Sequence, residues 1–183
     1  MVFFDESGSS LIPPVRRTWS RRGTTPVLRH RVAWKRASMA AALGYWPDAT
    51  KARLCFHLQQ DAYDTDTLIG VLEQLQGFYA GHRVVLRWDG LSSHWSSKLR
   101  QHLDAQRDWL TVARLPAYAP ELNPVEYLWA NLKGVELANF TGDTVGEVAD
   151  HAQHGIQRVC DSDSLVLGFL NHTGLSLDDD PSP

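Results

Sequence analysis

The feature that most constrains this chain is the length of the connections between its apolar runs. Residues 32–46 and 52–58 are strand-like stretches separated only by the turn Pro47-Asp48-Ala49. So short a connection suits antiparallel neighbours. Val84-Val85-Leu86 is a buried-type strand reached through a whole helix. That helix is capped by Asp64 or Thr65 and closed by Gly81, and its stripe Leu68, Val71, Leu72, Leu75, Phe78 and Tyr79 keeps the 3.6-residue period. A strand–helix–strand connection calls for parallel neighbours. A short first strand over residues 1–5 precedes these elements. After them come a helix from Ser92 or Ser93 to about Ala105, a strand over 109–115, a helix from Pro124 to about Leu137 and a last helix over 143–160. Three successive strands followed by strand–helix alternation predict an α/β fold, a five-stranded mixed sheet with an antiparallel and a parallel half and helices on both faces.

The 183 residues suit one domain. It is expected over residues 1–175, with a basic loop or hairpin insertion over 7–36 and a flexible acidic tail over 176–183. A hydrophobic content of 43% excludes a wholly disordered chain. No apolar run approaches the ~18–20 residues of a membrane span, and Asp5 arrives too early for a secretory signal. A cytoplasmic location is therefore expected. Two cysteines, Cys55 and Cys160, cannot build a disulfide framework, and without a Cys-x-x-Cys pair a thiolate zinc site is not indicated. His151-x-x-His154 lacks a third ligand at a telling spacing.

The net charge of −3 conceals an uneven distribution. No acidic residue lies between Ser7 and Pro47, yet eight of the eighteen basic residues do: Arg16, Arg17, Arg21, Arg22, Arg29, Arg31, Lys35 and Arg36. The remainder carries ten basic against twenty-one acidic groups. A basic strip on an acidic body suits a polyanion, and DNA is the expected partner. The alternative is a solvated loop whose arginines pair with the body.

Three carboxylates stand at element ends. Asp5 closes the first strand, Asp89 closes the fourth, and Glu126 opens a helix. Ligands of open sheets gather beyond the carboxyl ends of parallel strands. If the first and fourth strands are parallel neighbours, Asp5 and Asp89 become adjacent, and strand alternation lets only one of Asp5 and Glu6 face the site. Converging carboxylates repel unless a cation lies between them. Oxygen ligands suit Mg²⁺ or Mn²⁺, and two such ions can activate a water or a 3′-hydroxyl at a phosphodiester. Each acid has a simpler reading: turn chemistry for Asp5 and for Asp89-Gly90, and a capping box with Asn123 for Glu126. Asp61, Asp64 and Asp66 read as helix-start acids.

The run from Leu115 to Trp129, with Pro116, Tyr118, Pro120, Leu122, Asn123, Pro124 and Glu126, resembles the third catalytic motif of the mariner superfamily of DDE transposases, in its bacterial insertion-sequence branch. Residues 3–8 resemble the first motif and residues 84–94 the second, and the 37 positions between Asp89 and Glu126 fit that group. The chain departs from the usual pattern at Gly90, where Asn is common, and at Glu121, where Asp is common. The resemblance implies a ribonuclease H-like fold, with strand order 3-2-1-4-5, and Asp5, Asp89 and Glu126 as catalytic ligands of two Mg²⁺ or Mn²⁺ ions. His94 and Asn123 become neighbours of the active site. The implied reaction is DNA strand cleavage and strand transfer at insertion-sequence ends, by a protein dimeric on DNA and located at the bacterial nucleoid. Family members carry helix-turn-helix modules ahead of the catalytic domain. Here the chain opens on the first catalytic strand, so a separate N-terminal helix-turn-helix polypeptide is an expected partner. The alternative is an inactive remnant that serves only as a nonspecific DNA-binding or assembly module.

Overall fold

The computed structural model describes residues 1–30, 36–89 and 96–177. Strands β1 (Val2–Ser10), β2 (Arg36–Tyr45) and β3 (Ala52–Gln59) lead to helix α1 (Thr65–Phe78). Strand β4 (Val84–Trp88), helix α2 (Ser97–Ala105) and strand β5 (Leu110–Arg114) follow. A 3₁₀ turn (Pro120–Leu122) then precedes helices α3 (Pro124–Gly134), α4 (Val145–Cys160) and α5 (Asp163–Thr173). The sheet order is β3-β2-β1-β4-β5, the order expected with the ribonuclease H-like fold; β4 lies beside β1 and not beside β3, to which α1 connects it. β1, β2 and β3 are antiparallel, while β1, β4 and β5 are parallel.

β1 runs beyond the five residues expected of it. Its register with β2 extends from Val2 opposite Gly44 to Ser10 opposite Arg36. The polar run Glu6-Ser7-Gly8-Ser9-Ser10 has poor strand propensity, but a ladder to the buried strand β2 overrides it. Asp5 therefore lies inside β1 rather than at its end. The parallel register with β4, by contrast, pairs Val2 with Leu86 and Phe3 with Arg87, and β4 stops at Trp88.

Alternation along the strands divides the apolar residues between two cores. Phe3, Met39, Leu43 and Tyr45 face α3, α4 and α5, meeting Val125, Leu128, Trp129, Leu132, Ile156, Val159 and Phe169. Val2, Phe4, Leu86 and Trp88 face α1 and α2, meeting Leu68, Leu72, Leu75, Leu99 and Leu103. The α1 stripe is buried as expected except at Phe78, which is 38% exposed. Asp64 caps α1 in a full capping box with Thr67. Ser96, not Ser92 or Ser93, caps α2 by accepting from the Leu99 amide. Residues 90–95 lie outside the described ones.

α3 ends at Gly134, three residues early, because the chain turns to bury Leu137 in the core. α5 has no counterpart among the sequence expectations, in which the last helix ends at Cys160. Tertiary burial of Val166, Phe169 and Leu170 makes it a helix, and the Tyr45 hydroxyl donates to Val166 O at 3.0 Å. His151 stacks on Phe140 with ring centroids 4.0 Å apart, so the His151-x-x-His154 pair is packing. Cys55 and Cys160 are free thiols. No helix among the described residues is long and apolar enough to cross a membrane.

Tyr79 lies against β2 where glycine gives it room. A Cβ at Gly44 would stand 1.8 Å from the Tyr79 hydroxyl. That hydroxyl is buried without a hydrogen-bond partner, and burial pushes its ionisation far above the usual phenol range. Gly44→Ala is expected to destabilise the fold by about 1–3 kcal/mol, the usual range for overpacking. Tyr79→Phe removes only the unsatisfied hydroxyl and is expected to be at least as stable as the wild type. Urea denaturation of the two variants tests both.

Candidate active site

β1 and α3 form the centre of the site. α3 begins in a pre-set approach: Pro120 opens the 3₁₀ turn, and Pro124 occupies the first helical turn, where a missing amide costs nothing. Asn123, 4% exposed, accepts from the Val125 amide at 3.1 Å, while its own amide donates to Pro120 O at 2.9 Å. This answers the capping-box reading of Glu126. The N-cap amide that such a box requires is taken by Pro120, and Glu126 stands exposed at the first turn of α3. Asn123 is a buried cap serving the backbone that carries Glu126.

One helical turn later the same face of α3 meets β1. The Trp129 indole N–H donates to Asp5 Oδ2 at 2.9 Å, and the Lys133 ammonium donates to Ser7 Oγ at 2.7 Å. The i, i+4 spacing of Trp129 and Lys133 matches the i, i+2 spacing of Asp5 and Ser7 on one face of the strand. Neither Trp129 nor Lys133 was among the sequence-derived candidates. The available signal was spacing, since Trp129 follows Glu126 by three positions and so shares its side of the helix.

Asp5 faces the α3 side of the sheet, in line with Phe3. Continuing the register of Phe3 with Arg87 by two residues sets Asp5 opposite Asp89, just past the last residue of β4. The electrostatics agree. The Asp5 carboxyl is pushed up from near 3.8 to about 7, first by burial and next by the Glu126 charge. The Trp129 hydrogen bond opposes the rise, and Glu6 and Asp89 add to it. Glu126 and Asp89 thus both act on Asp5 through space.

This set of oxygen donors around a half-buried carboxylate has the chemistry a hard divalent ion requires, and a cation there would relieve the repulsion on Asp5. As they stand, the side chains are not drawn into a closed cage. Among the described residues, no group of three or more His, Cys, Asp or Glu side chains is placed to hold a metal ion.

The basic strip takes a different place. Residues 11–30 form no helix or strand; Leu11 and Pro13 are buried, and the chain from Val15 to His30 is exposed. Asn139, at φ +58°, fastens their start. Its side-chain amide donates to Arg16 O at 3.0 Å, its carbonyl oxygen accepts from Arg16 N at 2.9 Å, and its backbone amide donates to Pro14 O at 2.9 Å. Arg16, Arg17, Arg21, Arg22, Arg29 and Arg36 are all exposed. Arg31, Lys35 and His94 lie outside the described residues.

The raised Asp5 carboxyl carries a stability consequence. The folded protein holds this proton up to about pH 7, whereas the unfolded chain releases it near 3.8. Stability is then lost as pH rises between those values, at roughly 1.4 kcal/mol per pH unit. Above pH 7 and without divalent ions, Asp5→Asn is expected to unfold at a higher temperature than the wild type, and the two should converge near pH 4. Thermal melts across that range test the point; equal pH dependence in the two proteins is the contrary result.

No curated protein sequence matches the chain. Its structure is similar to that of the Mos1 transposase paired-end complex with left transposon end, at TM-score 0.66 and 18% identity, covering 94% of this chain and 51% of the other. The mariner Mos1 paired-end complex with Mg gives TM-score 0.65 at 18% identity, covering 94% and 53%. The isolated catalytic domain of Mos1 mariner transposase gives 0.59 at 16%, covering 94% and 74%. The chain spans about half the length of the Mos1 chains in the paired-end complexes. At these identities the likeness shows the fold, which is ribonuclease H-like, as the sequence resemblance implied. The sequence family described as DDE superfamily endonuclease matches residues 1–142, which contain Asp5, Asp89 and Glu126. The chain belongs to the DDE superfamily endonuclease family.

Proposed function

We propose that this chain is the catalytic domain of a DNA transposase that cleaves DNA strands at insertion-sequence ends and transfers the freed 3′-ends to target DNA. The observation that carries the reading is the setting of Asp5: a half-buried carboxylate fastened by Trp129 and opposed by the charges of Glu126 and Asp89. Acids are gathered against their own repulsion where a bound cation gains most. Family membership and the likeness to transposase structures, some with transposon ends and one with Mg, support the same reading.

Asp5, Asp89 and Glu126 would together hold two Mg²⁺ or Mn²⁺ ions. When bound, such ions lower the pKa of an attacking water or 3′-hydroxyl and stabilise the leaving oxygen of an in-line displacement. The chain's own groups provide the frame. β1 and the end of β4 fix Asp5 and Asp89 on the rigid sheet. Asn123 and the two prolines set the direction of α3, and with it Glu126. The arginines of residues 16–36 meet phosphates, which orients DNA without reading its sequence. Two copies on a pair of DNA ends, with sequence recognition supplied by a separate helix-turn-helix polypeptide, complete the proposed assembly.

Two outcomes test this. Nicking of supercoiled plasmid should depend on added Mg²⁺ or Mn²⁺ and fall by at least about 10²-fold in Asp89→Asn and in Glu126→Gln, the scale of losing one electrostatic stabiliser of a transition state. A chain that binds DNA yet nicks nothing with either ion is the inactive remnant instead. DNA affinity should fall steeply with salt. Removing Arg16 and Arg17 together should reduce the slope of log affinity against log salt by about 2, with little dependence on DNA sequence.

A further inference from the structure

We propose that Trp129 is a positioning residue for the divalent-ion site: its indole N–H fixes one oxygen of Asp5 and so reserves the other oxygen for the ion. The inference rests on the metal-dependent reading given above and adds to the site a residue outside the three acids.

A tryptophan N–H can donate one hydrogen bond and accept none. Such a partner takes up a lone pair on Oδ2 only, leaving Oδ1 uncommitted, and so fixes which oxygen faces the cation. The bond at 2.9 Å to Asp5 Oδ2 is charge-assisted when Asp5 is ionised. The ring has no freedom to swing aside. Trp129 is 3% exposed, lies in the core between the sheet and α3, and is tilted against Phe56 with centroids 6.5 Å apart. The neighbouring contact of Lys133 with Ser7 keeps α3 from sliding along β1. Glu126 sits on the same helix three residues earlier, so one rigid body delivers both an acid and the donor that aims a second acid.

The competing explanation is a core tryptophan that has merely found an acceptor for its N–H. The two differ in what removing the N–H does. A structural tryptophan changes stability and leaves ion affinity alone, whereas a donor that orients a ligand sets ion affinity, typically by 10–100-fold.

The experiment is Mn²⁺ binding to the full chain without DNA, followed by electron paramagnetic resonance, on wild type, Trp129→Phe and Asp89→Asn. Phenylalanine keeps an aromatic ring in the core and deletes the donor. The expected result is Mn²⁺ affinity about 10–100-fold weaker in Trp129→Phe, with a cooperative thermal melt showing that the variant is folded. A folded Trp129→Phe protein that holds Mn²⁺ as tightly as wild type overturns the proposal, while loss of binding in Asp89→Asn in the same series leaves the metal reading standing. A wild-type chain that takes up no Mn²⁺ overturns that reading and this one together.

If Trp129→Phe does not fold, the wild-type protein decides the matter through its indole ¹H–¹⁵N resonances. The Trp129 signal is the one displaced in Asp5→Asn. It should move to a saturating value as Mg²⁺ is added, and a signal indifferent to saturating Mg²⁺ overturns the proposal.

Discussion

Everything else in this molecule follows from the unequal partnership of its central strand. β1 is bonded to β2 along its whole length but meets β4 only near its start, because β4 ends at Trp88. Past that point the ladder to β2 continues while the described ladder to β4 has ended. A side chain there is held on the sheet by β2 and stands level with the residue that follows β4. Asp5 occupies that position. The helix that closes over it, α3, is anchored by Val125, Leu128, Trp129 and Leu132, each worth ~1.5–3 kcal/mol on burial. That burial is set against a single raised carboxyl, so an unfavourable charge is tolerated in an otherwise well-packed face.

The same balance bears on how a protein keeps a reactive arrangement and a stable fold at once. The two cores are separate: one joins the sheet to α1 and α2, the other joins it to α3, α4 and α5. The acids are confined to the margin of the second. The first core contains no part of the acid cluster and packs Leu72, Leu75, Leu86, Trp88 and Leu99 with almost no exposure. Changes at the acids should therefore alter chemistry and local stability while the opposite half of the sheet stays intact.

How much of this could be read from sequence depends on distance along the chain. The antiparallel and parallel halves of the sheet were legible because connection length separates hairpins from crossovers, the strand order came with the family resemblance, and the Asp64 cap was legible because it is decided within four residues. The three acids could be nominated from element ends and from the motif around Glu126. The bond between Trp129 and Asp5 joins residues 124 positions apart, and no local pattern announces it. α5 was hidden for the related reason that tertiary burial, not propensity, makes it helical. The true length of β1 was hidden because its second half is polar and takes its form from β2. In each case a distant neighbour decided against the local signal.

The clasp made by Asn139 bears on how the arginine strip could engage a ligand. Three hydrogen bonds tie Pro14 and Arg16 to a residue 123 positions beyond Arg16, so the strip starts from a fixed point beside the active-site helix. A fully free arm would surrender translational and rotational latitude on meeting a polyanion, and that loss would weaken binding. An arm already pinned at its root has given up part of that latitude during folding. Part of the ordering that a polyanion would otherwise impose on the strip is thus already met at its root when the chain folds.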